Sequence, residues 1–376
     1  MTHPMAEPLK NHFGAEIPRT IAEMIVAVYP AFPKAQFLRT ALKYYEPLEL
    51  MPRGRHIARA LRQHLPDNYE EAIEILLASL GPSVPKQAGD GGMAPFFYMP
   101  HTMFVQDYGL DHFEPSMLAQ YELTQRFTAE FSIRPFLERH REATLARLTL
   151  WATDPSPDVR RLVSEGTRPR LPWAPRLRDF QADPQPVLAL LDLLKDDPDL
   201  YVRRSVANNL NDIGKDHPAL LAQTAKKWMR NATEERRWLI RHALRSAVKR
   251  GEPGALHVLG AGHEAQVVVR QRSITPSRVR VGQSVTVAFE IRNAQSKPQR
   301  VMVDFRIHFV KANGSTTPKV FKLKMIELSP RASVSLKKTV SLKPMTTRTH
   351  YPGQHRVDLL LNGRAKPLGM FELLGR

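Results

Sequence analysis

The chain has 376 residues, no cysteine, and 55 Lys and Arg against 37 Asp and Glu, a formal charge of +18. Zero Cys excludes disulfides, thiolate zinc sites, Cys-ligated iron–sulfur clusters and cysteine nucleophiles, and the 14 His show no His-Glu-x-x-His or similar spacing, so neither a metal nor a cofactor is expected. A field of this sign attracts polyanions; with no apolar run of about 18 residues and no secretion signal over residues 1–18, the expected location is the cytoplasm, with no membrane partner.

After an N-terminal segment, residues 1–17, apolar residues recur at three- and four-residue steps over 21–28, 35–45, 56–64 and 69–80, the pattern of stacked amphipathic helices. Residues 81–100 turn loop-like, with four Pro and four Gly. Gly89-Asp90-Gly91-Gly92 lacks the Lys-Ser/Thr and the flanking strand of a phosphate cradle and reads as a flexible connection. Helical patterning resumes at Ser116 and runs through Leu145 to Trp151, then on to Leu191 and Leu210.

Two copies of Asp-Pro-x3-Val-Arg-Arg-x-Val lie 43 residues apart, beginning at Asp154 and Asp197. A worn third copy places Ile240-Arg241-His242 opposite Val202-Arg203-Arg204. This is a HEAT-like period, in which each unit is a helix pair that buries its apolar stripe against its neighbours. Residues 18–262 are therefore expected to form an α-solenoid, which presents a long concave surface. The first Arg of each Val-Arg-Arg, Arg160 and Arg203, suits a ladder to an Asp of a neighbouring unit. Phosphate contact falls to Arg161, Arg204, Arg168 and Arg170, because the guanidinium fork matches phosphate oxygens. Between the repeats, residues 164–174 interrupt the helix with Gly166, Pro169 and Pro172 while holding Glu165, two Arg and Trp173, unlike a short polar turn.

Near Gly262 the periodicity changes from helical to alternating. Residues 265–270, 284–291, 300–310, 320–326, 333–342 and 355–361 are rich in Val, Ile and Phe and read as strands. Their order, with turns at Thr275-Pro276-Ser277 and Val281-Gly282-Gln283, fits an immunoglobulin-like antiparallel β-sandwich without the disulfide over residues 263–376. From Gln266 onward there are 21 basic and 5 acidic residues, +16, against +2 for all that precedes. Lys297, Arg300, Lys311, Lys319 and Arg348, in or beside the expected loops, are candidates to clamp DNA.

Three strings carry a specific resemblance: Phe127-Thr128-Ala129-Glu130-Phe131-Ser132-Ile133-Arg134-Pro135-Phe136, the 164–174 segment, and Val206-Ala207-Asn208-Asn209-Leu210-Asn211-Asp212-Ile213. Together they resemble the AlkC-type DNA alkylation repair glycosylases, over roughly residues 15–260, in the branch with an added C-terminal sandwich. The resemblance implies a monofunctional enzyme that cuts the N-glycosidic bond of cationic alkylated bases, N3-methyladenine and N3-methylcytosine, in double-stranded DNA without drawing the base into a deep pocket. A bacterial, cytoplasmic, monomeric protein of base excision repair is expected. By matching strings, Glu130, Glu165 and Asp212 are its candidate acids and Trp173 its candidate aromatic. A cationic base leaves readily, so carboxylates need only stabilise the positive charge on the deoxyribose and handle a water, while an indole face attracts the cation. Glu165 is expected in the irregular loop, with Glu130 and Asp212 on helices. Other roles are open to each: Glu130 could pair with Arg134, Asp212 could cap the Gly214 turn or pair with Arg204, and Trp173 could plug the core. A non-catalytic HEAT-repeat scaffold or DNA-binding protein is the alternative.

Overall fold

The computed structural model of the chain describes residues 8–83, 94–261, 265–345 and 349–375, and by compactness the chain divides into two units, Met1–Ile213 and Gly214–Arg376. The Gly89–Gly92 segment and Arg348 lie outside the described residues. No helix among those described is long and apolar enough to cross a membrane.

The first unit is helical. It contains α1 (Glu16–Val28), α2 (Lys34–Leu42), α3 (Leu50–His64), α4 (Tyr69–Ala78), α5 (Met99–Tyr108) and α6 (Phe113–Thr124). These are followed by α7 (Ile133–Arg139), α8 (Arg141–Trp151), α9 (Pro157–Gly166), α10 (Arg178–Ala182), α11 (Gln185–Leu194) and α12 (Leu200–Asp216), within which the division falls. The amphipathic stripes behave as their spacing requires: α1 buries Ile21, Ala22 and Ile25, and α3 buries Ile57, Ala58 and Leu61. Of the stretch expected to be loop-like, residues 94–100 instead enter a 3-10 turn, Ala94–Tyr98, and α5, with Pro100 in the helix's first turn. Proline is tolerated there because its missing N–H would have no helical partner. Every residue from Met99 to Val105 is buried, polar His101 and Thr102 included, so these turns of α5 have no amphipathic period to betray them.

Two further departures shape the site. The helix expected to run on from Ser116 is broken over residues 125–132, where the Glu130 N–H donates to Thr128 Oγ1 at 3.2 Å and Ser132 Oγ to the Ala129 carbonyl at 3.2 Å. Such side-chain bonds offer the backbone an alternative to the helix. Conversely, α9 continues through Ser164 and Glu165 to Gly166, where a break was expected. A Cβ on Gly166 would lie 2.6 Å from Ile133 Cγ2, so glycine here serves the close approach of α9 to α7.

The two matched repeats fold alike. Arg160 Nη1 donates to the carbonyls of Asp154 and Pro155, and Arg203 Nη1 to those of Asp197 and Pro198. Arg160 also reaches into the next copy, with Nε 2.6 Å and Nη2 3.1 Å from the two Asp197 oxygens. That buried bidentate pair is the expected ladder.

The second unit contains α13 (Pro218–Trp228), α14 (Glu234–Ala243), α15 (Arg245–Arg250) and α16 (Pro253–Val258), followed by strands. These are β1 (Val267–Thr275), β2 (Arg278–Arg280), β3 (Ser284–Asn293), β4 (Gln299–Val310), β5 (Thr316–Leu328), β6 (Ser333–Ser341), β7 (Gly353–Leu361) and β8 (Arg364–Leu374). They form a three-stranded sheet, β1-β3-β6, and a five-stranded sheet, β2-β8-β7-β4-β5, antiparallel apart from the β2–β8 pair. Alternate residues such as Val285, Val287, Phe289 and Ile291 of β3 and Phe305, Ile307 and Phe309 of β4 enter the core. Strand β8 escaped the sequence reading because Pro367 and Gly369 interrupt it; the β7–β8 register slips there, at a bulge that leaves Leu368 unpaired in the ladder. Gly251 and Gly363, both at positive φ, bring the helical part and a sandwich turn into backbone contact; a Cβ on Gly251 would lie 2.8 Å from Gly363 Cα.

Candidate functional site

Three backbone settings in the first unit deliver the three carboxylates. Glu130 sits in the turn before α7, Glu165 in the last turn of α9, and Asp212 on α12. The sequence expectation had the first two exchanged, with Glu130 on a helix and Glu165 in the loop. The reason is the pair of departures just described: Thr128 draws the backbone out of the helix at Glu130, and Gly166 lets α9 run past Glu165.

The carboxylates alternate with two guanidiniums in one continuous ladder. Glu130 Oε2 is 2.8 Å from Arg161 Nη2, which lies 3.8 Å from Glu165 Oε1. Glu165 Oε1 is 2.5 Å from Arg168 Nη1, and Arg168 Nε and Nη2 are each 2.8 Å from Asp212 Oδ2. Neutral groups complete it: Thr128 Oγ1 donates to Glu130, Ser205 Oγ donates to Glu165 at 2.5 Å, and the Arg161 guanidinium lies 5.0 Å from the centre of the Tyr201 ring. Three acids and two bases leave one net negative charge. None of the competing pairings is formed: Glu130 meets Arg161 rather than Arg134, and Asp212 meets Arg168.

Burial alone would neutralise such groups, and here the pairing wins. Desolvation pushes the Glu165 carboxyl up, but Arg161, Arg168 and the Ser205 hydroxyl together hold it below the ordinary carboxylate value. Arg161 and Arg168 lose charge stability to burial and regain more from the carboxylates, so both stay firmly cationic. Tyr201 is pushed up to about 12, mostly by burial. Arg161 and Arg168, expected to reach for phosphate, thus have their charge engaged by the acids instead.

The irregular segment after α9 is pinned from below by Arg134. Its guanidinium donates to the carbonyls of Gly166 at 3.1 Å, Arg168 at 2.8 Å and Pro175 at 2.6 Å. With its charge buried against carbonyls, burial draws the Arg134 pKa down to about 10 despite Glu138 and Glu130 nearby. On this platform Trp173 adopts a left-handed backbone, φ 65°, and its residue is 66% exposed. An indole held outward on a strained residue is not a core plug, and such strain concentrates at working sites. Trp173, Glu130, Glu165 and Arg168 border one cavity of about 250 Å³. Its other wall is apolar and includes Met51, Met99, Met103, Phe127 and Phe131. The methionines of α5 were invisible as site residues because the helix itself was, and Arg134, Tyr201 and Ser205 had no signal beyond residue type.

The remaining candidates are distributed as follows. Arg204 is exposed and Arg170 half-buried on the first unit; on the second, Lys297, Arg300 and Lys311 are exposed. Lys319 is half-buried, its ammonium 5.2 Å from the Phe321 ring centre, and Arg348 lies outside the described residues. Among the described residues no group of three or more His, Asp or Glu side chains is arranged to hold a metal ion.

Comparison with known proteins finds likenesses to both parts of the chain. Residues 268–375 match the family described as the C-terminal Ig-like domain of the uncharacterised protein YhaZ. Over the whole chain, the YhaZ protein of Bacillus subtilis (strain 168) is 36% identical across 359 residues, 95% of this chain and 97% of that one. Among solved structures, the alkylpurine DNA glycosylase AlkC of Pseudomonas fluorescens, bound to DNA containing an abasic site analog, superposes with a TM-score of 0.87 at 38% identity, covering 98% of this chain and 100% of that one.

Proposed function

The chain belongs to the AlkC-type family of DNA alkylation repair glycosylases, in the branch with a C-terminal Ig-like domain, and on that premise we propose that it is a DNA glycosylase that releases alkylated bases. The observation that carries the reading is the five-membered acid–arginine ladder, whose Glu130, Glu165 and Arg168 border a cavity beside an outward-held indole. Its substrates are cationic bases, N3-methyladenine and N3-methylcytosine. Electrostatics supports this choice: the ladder has net charge −1 and Trp173 offers a π face, so the site attracts a cationic ring more strongly than an uncharged one.

In the proposed reaction the C1′–N bond breaks and its electron pair neutralises the departing base. Water supplies the oxygen that bonds to C1′, and its proton passes to a carboxylate. Glu165, held ionised, stabilises the positive charge building on the sugar, while Glu130 or Asp212 receives the proton. Arg161 and Arg168 space the acids apart and keep them charged; this role replaces phosphate contact for these two, and leaves Arg170 and Arg204 for the backbone. The 66% exposure of Trp173 favours meeting the base where it lies over a deep-pocket mechanism. The matched Arg160 and Arg203 geometry supports a HEAT-like stack for the helical part, residues 18–262, and the +16 of the sandwich, residues 263–376, supports a DNA clamp through Lys297, Arg300, Lys311, Lys319 and Arg348. No lysine stands in the ladder, which supports base removal without strand cleavage by a cytoplasmic monomer.

The test is release of N3-methyladenine from methylated duplex DNA by the purified chain. Glu165→Gln is expected to slow release by about 10²- to 10⁴-fold, and Trp173→Ala by about 5- to 30-fold, in line with a cation–π contribution of about 1–2 kcal/mol. An intact protein that frees no base from such DNA would end the glycosylase reading.

A further inference from the structure

The second unit holds a cavity of about 620 Å³ whose chemistry is the reverse of the acid-lined one. Five cations line it: Arg237 and Arg241 from α14, Arg245 from the start of α15, Arg300 from β4 and Lys322 from β5. No carboxylate does. The lining also carries the thioethers of Met229, Met302 and Met325; Met302 and Met325 are partners across the β4–β5 ladder, on the strands that supply Arg300 and Lys322.

The acids that pair with three of these cations hold them loosely. Glu234 reaches Arg241 at 2.6 Å and Arg237 at 3.6 Å, and Glu327 reaches Arg300 at 3.6 Å. All of these side chains are half exposed or more, where an ion pair contributes at most about 1 kcal/mol. A phosphate can draw such guanidiniums away, since their forks match its oxygens. The volume lies in the range of about 300–1,000 Å³ typical of organic-ligand sites and far exceeds a bare phosphate. Thioethers adapt to planar rings and make favourable sulfur–aromatic contacts, and guanidinium planes stack on bases.

We infer that this cavity is a nucleoside-phosphate site, taking the ring on its methionine wall and the phosphate on its arginine rim. The nucleotide comes either from a nucleic acid strand or from free solution, and the chemistry of recognition is the same. This site is separate from the glycosylase chemistry proposed above and needs no alkylated base.

Fluorescence anisotropy on the full chain tests it with three undamaged probes: a labelled single-stranded oligodeoxynucleotide, a labelled duplex and labelled ATP. The double variant Arg241→Glu/Lys322→Glu is expected to bind the single strand at least tenfold more weakly, and its log–log salt dependence to be shallower by about 2 where two phosphate contacts are lost. Arg241→Gln/Lys322→Gln, with an unchanged unfolding midpoint, should fall between. Loss confined to the nucleic acids identifies a strand as the source; loss of ATP binding as well identifies free nucleotide. Binding of all three probes unaltered by either variant overturns the site while leaving the glycosylase reading intact. Competition by inorganic phosphate as effective as by nucleotide overturns it too, as a bare anion site. A wild-type chain that binds no nucleic acid at all, but does bind ATP, sinks the glycosylase reading and supports this one.

Discussion

Glu165 would protonate readily if burial were the only influence on it. Its charge is kept by two arginines and a hydroxyl that arrive from its own helix, the following loop and α12. The sign of the effect fixes a pH window. With its folded pKa below the ordinary value of 4.5, Glu165 contributes fully to stability above that value, and the contribution is lost as pH falls from there through the folded pKa. Removing one arginine moves the balance back toward burial. In Arg168→Met, the acid limb of the rate of base release is expected to shift upward by about 1 unit, read from single-turnover rates across pH 4–8; an acid limb at the wild-type position would leave Glu165 without the role proposed for it. The three acids, Arg168 and Trp173 were legible in the recognised strings. Their pairing was not, because which guanidinium meets which carboxylate depends on distances between chain segments that spacing along one helix does not report. Arg134 illustrates this: four residues after Glu130, it suits an i,i+4 ion pair on a helix, yet Glu130 is not on a helix and Arg134 turns to the carbonyls of a distant loop.

At the scale of elements, the short stretch of α9 that carries Glu165 depends on what it packs against. Gly166 is a poor helix former, and sequence reasoning takes it for a terminator; the contact with Ile133 on α7 makes it a requirement instead. Gly166→Ala gains about 1 kcal/mol of helix propensity but forces a methyl into a site with no room, at a cost of about 1–3 kcal/mol. The variant is expected to unfold at lower urea, and the added Ile133→Ala to make Gly166→Ala neutral or stabilising relative to Ile133→Ala alone. A Gly166→Ala chain as stable as the wild type would show that α7 and α9 are not held by this contact. Helix α5 and strand β8 were illegible for opposite reasons. The first is buried from Met99 to Val105, polar His101 and Thr102 included, so no amphipathic period marks its turns; the second carries a proline and a glycine that a bulge in the β7–β8 register absorbs.

Across the whole molecule, charge is segregated: +16 lies in the last 111 residues and the anionic ladder in the helical first unit. Under the clamp proposed for the sandwich, Lys297→Glu/Lys311→Glu is expected to weaken duplex binding with a log–log salt slope shallower by about 2, while the rate of base release at saturating enzyme stays near wild type. Equal affinity and slope in the variant would remove these loops from the DNA contact. Composition and periodicity alone determined the net positive charge, the absence of cysteine chemistry, and the order of a helical part followed by a sandwich, because net charge and periodicity are sums over many residues that no single contact can change. Tertiary structure decided that Arg161 and Arg168 serve the acids, that Trp173 faces outward, and that a second cavity is lined by cations. Those outcomes rest on desolvation and on proximities such as the 2.8 Å between Arg168 Nε and Asp212 Oδ2, 44 positions apart, which exist only once the chain has folded.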